Sequence, residues 1–135
     1  MTIATQNSSD RFDDTRILIV EDEPFIAWDL AQAVASAGGV VIGPAATVAQ
    51  AMALVQANVL EAAILDVNLP DGHIGPVLES LRQHVAVVIH SGVGLPQELR
   101  DRFPHVPVYF KPTPAGVLTR RLFSLRRQPS TYYSK

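Results

Sequence analysis

Short apolar runs alternate along the chain with stretches of helical periodicity. The apolar runs are 16–20, 40–43, 62–65, 85–89 and 106–110. They lack polar alternation, which is typical of parallel strands buried on both faces. Helical spacing of apolar residues follows the runs, over 24–37, 47–58, 76–84, 96–103 and 114–127. The pattern predicts an α/β fold: a single doubly wound five-stranded parallel sheet of flavodoxin-like order 2-1-3-4-5, with helices on both faces.

The length of 135 residues suits one domain with a substantial core. Residues 1–14 are polar and show no periodicity, so we expect a flexible N-terminal arm there. The predicted domain covers 15–127, and a flexible tail is expected over 128–135.

Composition excludes several classes of site. The chain has no cysteine, which rules out a disulfide framework, a thiolate metal site and a thiol nucleophile. No apolar run approaches the roughly 20 residues of a membrane span, and the polar N-terminus does not resemble a signal peptide. A net charge of −2 argues against a general nucleic-acid binder. We therefore expect a soluble cytoplasmic protein that binds neither nucleic acid nor membrane.

Polar side chains follow four of the predicted strands. Glu21 and Asp22 come after the first strand, Asp66 after the third, Ser91 after the fourth and Lys111 after the fifth. In the predicted strand order the first and third strands are neighbours at the switch point, and ligands bind at the carboxyl ends there. The three acids are therefore expected to converge.

Three carboxylates in one crevice repel each other, and a divalent cation would resolve that conflict. The available ligands are all oxygens, which favours a hard ion that keeps some waters, and Mg²⁺ is the best chemical fit. Asn68, two residues beyond Asp66, offers a backbone carbonyl as a further oxygen.

A carboxylate beside a metal ion is suited to nucleophilic attack on a phosphoryl donor. Lys111 and the Ser91 hydroxyl would then hold the transferred phosphoryl oxygens. Each feature alone has a plainer explanation, because acids commonly begin helices and Ser-Gly commonly opens a loop. Together, on the ends of these strands, they indicate phosphoryl transfer onto Asp66.

Four segments resemble the signature motifs of the response-regulator receiver domain of two-component signalling. They are 18–24 (Leu-Ile-Val-Glu-Asp-Glu-Pro), 65–72 (Leu-Asp-Val-Asn-Leu-Pro-Asp-Gly), 90–92 (His-Ser-Gly) and 111–112 (Lys-Pro). The resemblance covers about residues 15–127. It implies that Asp66 is the phosphoacceptor, that Asp22 binds Mg²⁺ directly and that Glu21 acts on the ion mostly through water. Asn68 matches the residue whose backbone carbonyl is a ligand.

On the phosphate side, Ser91 matches the switch hydroxyl of the family and Lys111 its invariant lysine. The resemblance also implies partners: a histidine kinase or a histidine phosphotransfer protein, and a downstream protein target that remains unidentified. The first helix would dock the phosphoryl donor through Phe25, Ile26 and Trp28, since helical spacing places Trp28 away from the apolar stripe. A monomer or weak homodimer is expected.

Within the family, 41–49 and the short loop after the third strand look most like stand-alone receivers of the FAT GUY type. Two departures stand out. The usual switch aromatic is replaced by Val108, with aromatics displaced to Tyr109 and Phe110. The segment 89–94 also lacks the aromatic residue and the alanine of the FAT GUY motif.

The function predicted is therefore a phosphorylatable single-domain response regulator that signals by partner binding or phosphorelay. No enzyme activity is expected beyond its own phosphoryl transfer and dephosphorylation. One alternative is a pseudo-receiver used as an interaction module, which predicts loss of an acid or of the lysine. Another is an aspartate-nucleophile, magnesium-dependent phosphatase, which predicts an aspartate where Asn68 stands and a cap for which the chain has no room.

Overall fold

A five-stranded parallel sheet of order β2-β1-β3-β4-β5 forms the centre of the molecule in the computed structural model, which describes residues 11–126. The strands are β1 Arg16–Val20, β2 Val40–Ala45, β3 Ala62–Leu65, β4 Ala86–Ser91 and β5 Val108–Phe110. All four pairings are parallel. The predicted flavodoxin-like fold is confirmed.

Helices cover both faces of this sheet. They are α1 Pro24–Ser36, α2 Val48–Ala57, α3 Gly75–Ser80, α4 Gln97–Arg102 and α5 Ala115–Arg126. On one face α1 and α5 pack against each other and the sheet, which we call the α1/α5 layer. The other helices bury their apolar sides on the opposite face, the α2–α4 layer. None of the helices within 11–126 is both long enough and apolar enough to span a bilayer.

Side chains of each strand alternate between these two layers, as a parallel sheet buried on both faces requires. In β3, Ala63 and Leu65 belong to the α2–α4 layer, whereas Ala62 and Ile64 belong to the α1/α5 layer. Phe12 also lies in the α1/α5 layer, and its N–H donates to the carbonyl of Ala37 at 2.6 Å. The packed part of the chain therefore begins before residue 15, and the rest of the expected arm and the tail over 128–135 lie outside the described residues.

The start of α2 is capped twice. The Thr47 hydroxyl accepts from the backbone N–H of Gln50, a bond typical of threonine at the start of a helix. The Asp71 carboxylate accepts from the N–H groups of Val48 and Ala49, and these bonds lower the pKa of Asp71 below its ordinary value. Asp71 thereby ties the segment after β3 to α2, a link between residues distant in sequence.

Three local features of the fold differ from the sequence prediction. Strand β2 continues beyond the predicted run 40–43 and through Pro44, because β2 is an edge strand and tolerates a residue without N–H. Helix α3 ends at Ser80 instead of continuing to residue 84, and the Ser80 hydroxyl donates to the carbonyl of Val77. The predicted loop after β3 contains a two-residue antiparallel hairpin of Asn68–Leu69 with Gly72–His73, here called the 68–73 hairpin.

Candidate functional site

Three acids meet at the carboxyl ends of β1 and β3. Strands β1 and β3 pair with Val20 opposite Leu65, so the residues that follow each strand leave the sheet side by side. Glu21, Asp22 and Asp66 each offer a carboxylate oxygen within 4.8 Å of the others. Glu21 and Asp66 are buried, whereas Asp22 is half-buried. The structure thus brings together the three acids that the sequence analysis selected.

Lys111 completes this cluster from β5. Its backbone N–H donates to the carbonyl of Ser91 at 2.9 Å, which extends the β4–β5 ladder and fixes where the side chain starts. Its Nζ lies 3.0 Å from Oε2 of Glu21, Oε2 of Glu23 and Oδ2 of Asp66. An ammonium has three donors. Three carboxylates therefore use all the hydrogen-bonding capacity of one lysine.

The environment changes the acid–base properties of two of these groups. Burial raises the pKa of Glu21 from 4.5 to about 7, although hydrogen bonds from Lys111 and from the N–H of Glu23 oppose the rise. For Lys111, burial lowers the pKa, but hydrogen bonds to Asp66, Glu21 and Glu23 outweigh it, so the pKa lies above the ordinary 10.5. Lys111 is therefore a permanent positive charge in this site.

The donor set fits a hard divalent cation. All the converging groups are carboxylate oxygens, and acids outnumber the single ammonium, so the cluster retains excess negative charge. Oε1 of Glu21 is buried and has no hydrogen-bond partner within residues 11–126. An orphaned carboxylate oxygen in a buried site is costly, and a metal ion would satisfy it. Glu21, Asp22 and Asp66 are thus compatible with Mg²⁺ binding.

Ser91 and Asn68 lie near the carboxyl ends of β4 and β3, respectively. Ser91 is fully buried at the end of β4, and its hydroxyl accepts from the N–H of Val93 at 3.2 Å. Asn68 begins the 68–73 hairpin two residues beyond Asp66 and pairs with His73. The hairpin is anchored by a bond from the N–H of Ile74 to the carbonyl of Val67. Both residues therefore lie on segments that border the acid cluster.

Comparison with known proteins finds solved structures with the same fold. No protein-family model matches the sequence, and no curated protein matches it either. Several solved structures, in contrast, are similar to this chain. The receiver domain of HemR from Leptospira biflexa shares 23% identity at a TM-score of 0.73, covering 86% of this chain and 97% of that one. SdrG from Sphingomonas melonis Fr1 shares 37% identity at a TM-score of 0.66, covering 84% of this chain and 98% of that one.

The chain belongs to the response-regulator receiver family. The response regulator PhyR from Brucella abortus is also similar, with 28% identity and a TM-score of 0.65 over 93% of this chain. The match covers 53% of that PhyR chain, so this receiver spans about half its length.

The helix that follows β1 in this receiver presents two large apolar side chains outward. Phe25 is 87% exposed and Trp28 is 62% exposed, whereas Leu30 and Val34 are buried in the α1/α5 layer. The expectation that Trp28 faces away from the apolar stripe is confirmed. Ile26 differs from the other two predicted docking residues, because it is partly buried against the same layer. The exposed patch on α1 therefore consists of Phe25 and Trp28.

Strand β5 contains Val108 at the position where the family resemblance leads us to expect a switch aromatic. Val108 packs in the α2–α4 layer, in the register opposite Ile89. Tyr109 packs on the opposite face, in the α1/α5 layer, and Phe110 is 61% exposed. Since Val108 has no ring to rotate, this receiver has no aromatic switch at that position.

Two charged or titratable residues in the site were not selected from the sequence. Glu23 is one of the acids bonded to Lys111, but its position at the start of α1 has the plainer explanation of a helix-start acid. His90 is buried on β4, and neither ring nitrogen has a hydrogen-bond partner in the described part of the chain. Burial lowers the pKa of His90, and the charge of Lys111 lowers it further. A polar residue within an apolar strand was the available signal for His90.

Proposed function

We propose that this receiver accepts a phosphoryl group on Asp66 in the presence of Mg²⁺ and acts as a single-domain response regulator. The observation that carries the proposal is the contact between Lys111 Nζ and Asp66 Oδ2, beside two further acids that fit a hard cation. A buried aspartate beside an ammonium is suited to act as the nucleophile, and the same ammonium is within reach of the phosphoryl oxygens after transfer.

The transfer breaks the phosphorus–oxygen or phosphorus–nitrogen bond of the donor and forms a new phosphorus–oxygen bond to Asp66. A carboxylate oxygen of Asp66 attacks the phosphorus of the donor and forms an acyl phosphate. The bond between phosphorus and the donor's leaving group breaks, and the leaving group takes the electron pair. With a phosphohistidine donor the leaving group is the imidazole nitrogen.

The chain's own residues would divide the remaining work. Glu21, Asp22, Asp66 and the backbone carbonyl of Asn68 would hold Mg²⁺, which when bound offsets the negative charge of the donor. Lys111 and the Ser91 hydroxyl would bind the phosphoryl oxygens after transfer. The Ser91 hydroxyl accepts from the N–H of Val93 and keeps its own O–H to donate to a phosphoryl oxygen.

A signalling role follows from the kind of proteins that this chain is similar to. The donor would be a histidine kinase or a histidine phosphotransfer protein in the cytoplasm, and α1 would dock it through the patch of Phe25 and Trp28. The partly buried Ile26 would support that patch from beneath. The phosphorylated receiver would pass its signal by binding a protein target or by handing the phosphoryl group onward. Among similar proteins, a PhyR from Bartonella quintana is an anti-anti-sigma factor.

Intact-mass spectrometry tests this function. The full chain is incubated with acetyl phosphate and Mg²⁺, and the expected result is the gain of one phosphoryl group. Asp66→Asn and addition of a metal chelator should each abolish the gain. Asp29→Asn is the matched control, because Asp29 is an exposed acid on α1. A wild-type chain that gains no phosphoryl group from acetyl phosphate or from a phosphohistidine donor would contradict the proposal and favour a pseudo-receiver.

A further inference from the structure

We propose that Glu23 is a positioning residue that holds Lys111 before phosphorylation and releases it to the phosphoryl group afterwards. The inference rests on the proposed function. It assigns a role to an acid that is neither the proposed phosphoacceptor nor an expected Mg²⁺ ligand. Its basis is the ion pair of Glu23 Oε2 with Lys111 Nζ at 3.0 Å.

The three acids bonded to Lys111 differ sharply in exposure. The side chains of Glu21 and Asp66 are 1% and 7% exposed, whereas that of Glu23 is 59% exposed. Lys111 itself is 15% exposed. Two of its bonds thus lie inside the protein and one reaches out to the surface.

Lys111 must give up a bond to contact the phosphoryl group, because all three of its donors are in use. Releasing Glu21 would take the lysine from a buried carboxylate whose Oε2 would keep only the N–H of Glu23, and a buried charge without a counter-ion is strongly unfavourable. Asp66 need not be released, because its Oδ2 can still accept as the acyl oxygen when its other carboxylate oxygen carries the phosphoryl group. Releasing Glu23 returns an exposed carboxylate to water, which costs little because exposed ion pairs contribute little. Glu23 is therefore the partner that Lys111 exchanges.

The backbone of Glu23 is held while its side chain remains free to leave. Its N–H donates to Oε2 of Glu21 at 3.1 Å, and its carbonyl accepts from the N–H of Ala27 at 2.9 Å. Although Glu23 precedes the first residue of α1, its side chain makes no capping hydrogen bond to that helix. The side chain is thus fixed at its base and is bonded at its tip to Lys111 alone among the described residues.

The variant Glu23→Gln tests this role. A neutral amide holds the ammonium less strongly, so Lys111 should become available sooner. The expected result is a rate constant for phosphorylation by acetyl phosphate about two- to fivefold higher than in the wild type, in keeping with the modest strength of exposed ion pairs. Asp29→Asn controls for the loss of one negative charge near an anionic donor, because Asp29 lies on α1, the helix that Glu23 precedes, and has no ion pair within 11–126.

A spectroscopic measurement separates release of the lysine from a general charge effect. The chain contains two lysines, Lys111 and Lys135, so isotope-labelled lysine gives one side-chain NMR signal from the site and one from elsewhere. Glu23→Gln should move the Lys111 signal in the unphosphorylated protein, and phosphorylation should then shift it less than in the wild type. Asp29→Asn should leave both properties unchanged.

The outcomes distinguish this inference from the function on which it rests. If the wild type gains no phosphoryl group, the proposed function fails. If the wild type is phosphorylated but Glu23→Gln matches Asp29→Asn in rate and in the Lys111 signal, the role of Glu23 is wrong and the function stands. A Lys111 signal that moves only in Glu23→Gln, together with the faster reaction, supports the exchange.

Discussion

Two consecutive rows of side chains lie at the centre of the sheet and are buried to a similar degree. The lower row belongs to the α1/α5 layer and consists of Ile19, Ile64 and Val88. Two residues further along each strand, the upper row consists of Glu21, Asp66 and His90. No member of either row is more than 5% exposed. The rows differ only in chemistry, because one is wholly aliphatic and the other wholly titratable.

The aliphatic lower row stabilises the domain, whereas the titratable upper row provides the groups for its chemistry. Each aliphatic side chain of the lower row contributes about 1.5–3 kcal/mol when it is fully buried. The upper row costs free energy, since Glu21 Oε1 and both nitrogens of His90 are buried without partners in the described residues. Substitutions in the lower row should therefore lower stability without changing the chemistry, whereas substitutions of the titratable residues in the site should not lower stability.

The largest effect is expected from the lower row. Ile64→Ala leaves a cavity beneath the sheet and should lower the free energy of unfolding by about 2–5 kcal/mol. Urea unfolding followed by circular dichroism measures this loss. The folded fraction should still be phosphorylated on Asp66. A folded Ile64→Ala protein that gains no phosphoryl group would show that the two rows are not separable.

A metal-site substitution should produce the opposite result. Asp22→Asn removes the charge of one ligand and should weaken Mg²⁺ binding by at least roughly 10–100-fold, the loss that is typical when a residue supporting a metal ligand is replaced. Titration of Mg²⁺ followed by the fluorescence of Trp28, the single tryptophan of the chain, measures this change. Without Mg²⁺ the free energy of unfolding should not fall, because one of several repelling carboxylates has been neutralised. A clear loss of stability in the metal-free protein would contradict the comparison.

A stabilising effect is expected from His90→Leu. Removing the unpaired imidazole from a buried site should raise the free energy of unfolding by about 1 kcal/mol at neutral pH. The pKa of His90 is lowered from its ordinary 6.5 in the folded state. Below pH 6.5 the unfolded chain therefore takes up a proton that the folded chain refuses, and stability falls.

The gain from His90→Leu should accordingly increase as the pH decreases below 6.5. Urea unfolding at several pH values measures it, with the exposed His84→Gln as the control. If His90→Leu is less stable than the wild type at every pH, the imidazole is a satisfied core residue and the upper row carries no such cost.

The smallest effect on stability is expected outside both rows, on α1. Trp28→Ala removes a side chain that is 62% exposed and should change the free energy of unfolding by less than about 0.5 kcal/mol. Phosphoryl transfer from a cognate kinase should slow, whereas reaction with acetyl phosphate should not. Val59→Ala, which truncates an apolar side chain that is 74% exposed and lies outside α1, is the control. Equal losses with both donors would count against docking by α1.

Much of this site was predictable because strand order determines which strand ends meet. Glu21, Asp22 and Asp66 follow β1 and β3, and adjacent strands place them together without any knowledge of side-chain conformation. Lys111 was identified in the same way. The bonding of Lys111 was not predictable, because a flexible side chain can reach several acids and only the folded geometry shows that Glu23 is one of them.

The remaining differences also arise from contacts that sequence periodicity does not encode. Ile26 was grouped with Phe25 and Trp28 for docking, but the packing of α1 turns it partly inward. The carboxylate of Asp71 caps a helix that begins 23 residues earlier in the chain. Neither hydrophobic spacing nor local propensity reports such long-range contacts.

The central claim is that the upper row exists for phosphorylation of Asp66, and locating the phosphoryl group tests it most directly. After reaction with acetyl phosphate and Mg²⁺, reduction with borohydride converts an acyl phosphate of aspartate to homoserine, and peptide mass spectrometry then identifies the residue. The account predicts homoserine at position 66 and at no other acid. Homoserine at position 22, or its absence from a protein that has gained phosphate, would contradict the account.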